Sequence, residues 1–202
     1  MSALLPSLPR IGAVVIGRNE GQRLVNCLTS MEGEVDLLIY VDSGSTDGSL
    51  SAAERLGAET VLLSSDVPFT AARARNAVFE KIMARPNAPE FVQFVDGDCQ
   101  IAEGWLEIGA GQLAETSQLA AICGRLRERH PEASRYNRCH DVEWAQPPGD
   151  TECIGGVFMV RADVFQLVDG FRETIAAGEE PELCHRIRQR GWKLLRLPDD
   201  MA

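Results

Sequence analysis

Four short stretches carry the chemistry this sequence offers. The first is Asp96-Gly97-Asp98, two carboxylates one residue apart at the end of the apolar run Phe91-Val-Gln-Phe-Val95. Paired hard oxygen ligands of this kind suit Mg2+ or Mn2+, which in turn suit a diphosphate. The second and third, Arg18-Asn19-Glu20 and Asp42-Ser-Gly-Ser-Thr-Asp47-Gly48, also follow apolar runs. The fourth is Gly178-Glu179-Glu180-Pro181-Glu182, in which a carboxylate could act as a general base. Each stretch has a purely structural reading beside the chemical one. The Asp96 and Asp42 strings have good turn composition. The glutamates suit the positive end of a helix, with Pro181 in its first turn and Glu182 four residues before Arg186.

The elements around these stretches bring them together. Apolar runs at 11–16, 36–41, 59–63 and 91–95 predict strands. Between them lie helical patterns: Leu24, Leu28 and Met31 in the first, capped by Asn19, a second through Leu56 stopped by Gly57, and a third over 71–83. Strand–helix alternation with short connections predicts an α/β fold, a mostly parallel sheet flanked by helices. Ligands bind such sheets at the carboxyl ends of the strands, where Arg18, Glu20, Asp42, Asp96 and Asp98 all fall. Further on, a helix is expected over 103–115 and a strand over 119–123. Periodicity is lost over 125–153, where recurring prolines and Arg125, Arg127 and Arg129 predict a long excursion. In an extended segment those three arginines share one side, either as a solvated edge or as a contact for a phosphate-bearing ligand. Apolar structure resumes over 154–160, a final helix covers 178–190 up to Gly191, and a short strand follows over 193–197. Trp105 is expected to pack the start of its helix, His185 to be structural, and Trp144, in the polar excursion, to offer a ring on which a ligand could stack.

Composition narrows the partners. With 202 residues and 45% hydrophobic side chains, the chain can build one domain with a proper core. Thirty acidic against 20 basic residues leave a net charge of −10, which argues against nucleic acid as a default partner. Six cysteines without a Cys-x-x-Cys pair read as reduced core thiols of a cytoplasmic protein. Residues 1–10 read as a lead-in, too short and proline-broken for a signal peptide. No apolar run is long enough for a transmembrane segment.

The order of Val14-Val-Ile-Gly-Arg-Asn-Glu20, Val41-Asp-Ser-Gly-Ser-Thr-Asp-Gly-Ser49, Ala72-Arg-Ala-Arg-Asn76, Val95-Asp-Gly-Asp98, Glu103-Gly-Trp-Leu106 and Gly178-Glu-Glu-Pro-Glu-Leu-Cys-His-Arg186 resembles that of the family 2 glycosyltransferases. These are inverting enzymes of the GT-A fold that use nucleotide-diphosphate sugars. The resemblance implies a single domain over 11–202, with a nucleotide-binding half over 11–100 and an acceptor-binding half over 101–202. It implies that Asp42 bonds the base, probed best with uridine diphosphate, and that Arg18, Glu20, Arg75 and Asn76 line the nucleotide pocket. Asp96 would face ribose and metal, with Asp98 the main ligand of Mn2+ or Mg2+. Gly155 and Gly156 resemble the glycine pair beside the acceptor, where Trp144 is the further candidate. A saccharide or lipid-linked acceptor is implied, the latter compatible with peripheral membrane contact.

The chain departs from the family pattern in two places. The family usually shows Glu-Asp where this chain has Glu179-Glu180, so Glu180 takes the catalytic-base position with Glu179 as the alternative. Family members also commonly add a metal ligand, often histidine, beyond this helix. Here Asp199-Asp200-Met-Ala follows, so the C-terminal end reads as incomplete, with the two aspartates as substitutes. Two rival readings remain. A nucleotidyltransferase would open with a glycine-rich basic loop, which Gly17-Arg-Asn-Glu20 lacks. A catalytically silent nucleotide-sugar-binding module would tolerate the Glu-Glu departure.

Overall fold

β1 (Ile11–Gly17) lies between two parallel neighbours, β2 (Leu37–Asp42) and β4 (Phe91–Asp96). The computed structural model describes residues 9–175 and 177–202, so most of the expected lead-in over 1–10 lies outside the described residues. The strands Ala13–Val15, Ile39–Val41 and Phe91–Val95 are buried almost throughout, which is why they read as continuous apolar runs. Parallel pairing needs crossovers, supplied by α1 (Gln22–Thr29), α2 (Ser49–Arg55) and α3 (Ala71–Met83). In α1 the apolar face Leu24, Cys27 and Leu28 is buried. β3 (Glu59–Leu62) completes the parallel group on the outer side of β2. After β3 the chain crosses back to place β4 on the other side of β1. The strand order therefore reverses between β1 and β4, and a crevice opens there at the carboxyl ends.

The remaining elements are α4 (Trp105–Glu115), β5 (Leu119–Arg125), α5 (Arg135–Trp144), β6 (Gly149–Asp150), β7 (Phe158–Arg161), α6 (Ala162–Leu167), α7 (Glu179–Gln189) and β8 (Lys193–Asp200). They extend the sheet to eight strands in the order β3-β2-β1-β4-β7-β5-β8-β6. β7 runs antiparallel to both β4 and β5, β5 pairs parallel with β8, and β6 runs antiparallel to β8. The α/β expectation is met, with every antiparallel pair involving a strand of the second half. Trp105 is fully buried and donates from Nε1 to Gln93 Oε1 at 2.9 Å, so it packs its helix start as expected.

Three local expectations are corrected. Asn19 does not cap α1: Gly21 holds that place, while Asn19 sits at φ 57° and accepts from the Thr46 amide at 2.7 Å. The 125–153 excursion contains a ten-residue helix, α5, capped by Ser134, which accepts from the Asn137 amide. None of its residues is buried, so no apolar face announced it in the sequence. Finally, β8 runs on through Asp199 and Asp200, and buried Met201 is held by backbone bonds to Arg125 and Ala102. Pairing with β5 overrides the polar composition of that end.

Candidate active site

Register alone aligns the strand ends. Gly17 pairs with Asp42, and Ile16 pairs with Asp96. The turns that follow are stitched to one another: Asn19 N donates to Ser45 Oγ at 2.9 Å, and Gly21 N donates to Ser49 Oγ at 3.1 Å. Between them lies a cavity of about 410 Å3, lined by Arg18, Glu20, Ser43, Phe69, Asp96 and Asp98 among others. Gly97 is required by close approach, because a Cβ there would stand 3.1 Å from the Ile16 carbonyl oxygen. Asp98 leaves 49% of its side chain in contact with solvent, and Arg23 reaches to 4.0 Å of it while holding Glu20 at 2.6 Å.

A second cluster adjoins the first through Asp96. Arg75, on α3, is only 1% exposed. Its Nη2 donates to Asp96 Oδ1 at 3.0 Å and to the Gly156 carbonyl at 3.2 Å, and its Nη1 donates to Glu180 Oε1 at 3.0 Å. Glu179 Oε1 stands 3.5 Å from the same Nη1. The guanidinium rests on the Phe171 ring, 5.3 Å from its centroid, and Phe171 in turn packs edge-on against Phe94 and Phe165. Glu179 and Glu180 open α7, where the helix dipole favours their negative charge. Burial within the cleft pushes the Asp96 carboxyl up and the Arg75 guanidinium opposes it. With 40% of the Asp96 side chain still reached by water, the upward push is moderated. Next to this cluster, a hydrogen bond between the free thiols of Cys153 and Cys184 lowers the pKa of Cys153 and, with burial, raises that of Cys184.

The expected residues divide into those brought together and those set apart. Arg18, Glu20, Asp96 and Asp98 share the cavity, and Arg75, Asp96, Glu179, Glu180 and Gly156 share the ion cluster. Asp42 lies beneath the cavity, 1% exposed, accepting from Tyr40 Oη at 2.9 Å and from the amides of Gly44 and Ser45 at 3.0 and 2.8 Å. It organises the turn that presents its neighbour Ser43. Asp42→Ala would leave two amides without their acceptor and Tyr40 Oη with only the 3.5 Å contact to Ser45 Oγ, so we expect a stability loss of about 1–3 kcal/mol in urea denaturation. A loss confined to nucleotide affinity would contradict this.

Asn76 faces elsewhere. Its amide donates to the Phe171 carbonyl at 2.8 Å and accepts from the Phe171 amide at 3.0 Å, beside a separate cavity of about 820 Å3 between α3 and α6. Trp144 stacks on His140 of its own helix, and Gly155 turns at φ 72° just before Gly156. Arg127 lies 3.5 Å from both Asp141 and Asp200, and Arg129 bonds Gln100, so these two arginines are not free on one side.

Sequence reasoning passed over Ser43, Phe69 and Arg23. Phe69 has Arg18 and Arg73 at 5.6 and 5.9 Å from its ring centroid. Arg73 in turn donates to the carbonyls of Ser64, Val67 and Pro68, fixing the loop that carries Phe69. The signal was weak in sequence: one aromatic in a polar loop, one residue before the helix cap Thr70. Among the described residues no three acidic, histidine or cysteine side chains cluster closely enough to hold a metal ion by themselves, and no helix is long and apolar enough to cross a membrane.

Comparison with known proteins agrees with this architecture. Glycosyltransferase AglE of Haloferax volcanii is 23% identical over 202 residues, covering 93% of this chain and 64% of the relative. The pre-mycofactocin glycosyltransferase of Mycobacterium tuberculosis is 27% identical over 202 residues, covering 94% of this chain and 41% of the relative. The chain thus spans less than two thirds of the length of either. Among solved structures, the mannosyltransferase PcManGT from Pyrobaculum calidifontis, in complex with GDP-Man and Mn2+, matches with a TM-score of 0.72 at 21% identity, over 96% of this chain and 56% of that one. Glucosyl-3-phosphoglycerate synthase from M. tuberculosis, in complex with Mn2+, uridine diphosphate and glucosyl-3-phosphoglycerate, matches at 0.63 and 19% identity, over 96% of this chain and 71% of that one. These likenesses establish the fold as GT-A-like, a central sheet flanked by helices. The profile of glycosyl transferase family 2 matches residues 13–166, from β1 into α6. That stretch holds both the Asp96–Asp98 cavity and Arg75, and by it the chain belongs to glycosyl transferase family 2.

Proposed function

We propose that this chain transfers a sugar, with inversion, from a uridine diphosphate sugar to a hydroxyl acceptor. One observation carries the reading: a cavity holding Asp96 and Asp98 at the strand-order reversal is joined, through Arg75, to an acid pair at a helix start. The nucleotide half is 11–100, and residues 101–202 contribute the acceptor side. The Mn2+ complexes of the two solved relatives support a divalent ion. The residues here fit one: two carboxylates at a strand end, both partly open to solvent, match the habit of Mg2+ and Mn2+ of taking few protein ligands and completing the shell with phosphate and water. Asp98 would be the main holder, with Asp96 beside it. When bound, the ion neutralises charge on the diphosphate leaving group.

The chain's own residues do the rest. Arg18 and Phe69 stand together in the cavity lining, a place for the base. Glu180 takes the proton of the acceptor hydroxyl as its oxygen attacks the anomeric carbon. The bond from that carbon to the phosphate oxygen breaks, and its electrons leave with uridine diphosphate. Direct displacement by one attack gives inversion. The opening beside Gly156 supports this placement, since a Cβ there would stand 3.1 Å from Asp96 Oδ2 and 3.4 Å from Glu180 Oε1. A side chain would fill the space between the donor-side and base carboxylates.

The direct test is thermal unfolding with uridine or guanosine diphosphate, with and without Mn2+. Uridine diphosphate with Mn2+ is expected to give the largest rise in midpoint, because binding to the native state alone stabilises it. A clear preference for guanosine diphosphate would overturn the uridine assignment, and no response to either would overturn the pocket.

A further inference from the structure

We propose that Arg75 is a positioning residue that fixes the base carboxylate against the donor-side carboxylate, and that it does not bind the nucleotide. The inference rests on the transferase reading above and assigns Arg75 a different role from the nucleotide contact implied by its sequence motif.

The hydrogen-bond inventory carries it. A guanidinium offers five N–H donors in a rigid fork. Nη2 serves Asp96 and the Gly156 carbonyl, and Nη1 serves Glu180 with Glu179 close by. The remaining donor, Nε, has no partner among the described residues and is sealed from solvent, so a nucleotide in the cavity cannot reach it. Arg75 is also absent from the lining of that cavity.

Its partners come from distant parts of the chain: the end of β4, the loop before β7 and the start of α7. No other described salt bridge joins the β4 end to α7. Without the cation, Asp96, Glu179 and Glu180 would repel one another across the space that a reacting sugar must occupy. Phe171 beneath the guanidinium holds its plane, so the fork and not only the charge sets where Glu180 points. Lysine would keep the charge and lose the fork.

The test compares Arg75→Lys with the unaltered chain in two measurements. Calorimetric titration with uridine diphosphate and Mn2+ is expected to give affinities within about threefold of each other, whereas a direct charge-assisted contact would cost about tenfold or more. Release of uridine diphosphate from UDP-glucose and UDP-N-acetylglucosamine, onto water or a hydroxyl acceptor, is expected to fall by about 10²-fold in kcat with little change in KM, as for a misplaced catalytic group. Because a buried arginine can be needed for folding, Phe171→Leu is the companion variant. It removes the ring under the guanidinium while leaving every charge and the cavity lining in place, and the same split is expected. A tenfold or greater loss of uridine diphosphate affinity in Arg75→Lys, or unaltered turnover in both variants, overturns the positioning role and leaves the transferase reading standing. Failure of the unaltered chain to bind uridine diphosphate overturns both.

Discussion

Glu180→Gln is expected to lower sugar transfer by about 10²–10⁴-fold, the range for removal of a general base, while the affinity for uridine diphosphate is kept. The glutamine has the shape of the glutamate, and its carbonyl oxygen can still accept from Arg75 Nη1, now 3.0 Å from Glu180 Oε1. Its amide cannot take a proton from an acceptor hydroxyl. Glu179→Gln provides the contrast. Glu179 is the more buried of the two, with 12% of its side chain exposed against 18% for Glu180, and it stands at 3.5 Å from Arg75. It therefore reads as support for the pair, and its replacement should cost less. Steady-state rates of the two variants decide the assignment. If Glu179→Gln shows the large loss and Glu180→Gln does not, the base lies one residue earlier.

The sequence made the first half legible because its strands are buried on both faces and end in polar residues. Runs such as Phe91 to Val95 allow little besides a central strand, and the parallel register then brings Gly17, Asp42 and Asp96 to one level. The acid pair was legible for another reason: Glu179, Glu180 and Pro181 suit a first helical turn whatever their chemistry. What stayed hidden depends on contacts between parts far apart in sequence. Nothing local tells that Asn76 fastens the Phe171 backbone, 95 residues away, while its neighbour Arg75 reaches Glu180, 105 residues away. A helical Arg-Asn pair looks alike whether it faces a ligand or a loop. The sequence around Asp42 likewise does not show that its carboxylate also accepts from Tyr40 and from the amides of its own turn. Helix α5 escaped notice because it buries nothing, so hydrophobic periodicity had no signal to give.

Asp98→Ala is expected to abolish the Mn2+-dependent part of nucleotide binding and to leave the fold intact. The side chain is half exposed and its charged neighbour Arg23 lies at 4.0 Å, so its loss breaks no buried bond. An exposed pair of that length contributes little to stability. The site itself depends on it heavily, since among the described residues no cluster of three ligands stands ready to hold an ion. With Asp98 gone, only Asp96 remains at the strand end, and Arg75 already engages it at 3.0 Å. In the unaltered chain, uridine diphosphate at about 100 times its Kd in the presence of Mn2+ should stabilise the native state by about 2.7 kcal/mol. For a chain of this size that corresponds to a rise of about 5–10 °C in Tm. In Asp98→Ala the increment on adding Mn2+ to the nucleotide should vanish, while the smaller rise from nucleotide alone remains. Mn2+ without nucleotide should move neither protein much, because the diphosphate is expected to complete the coordination shell. An undiminished Mn2+ increment in the variant would reduce Asp96-Gly97-Asp98 to a polar turn and move the search for the ion's carboxylates to Glu20, which lines the same cavity.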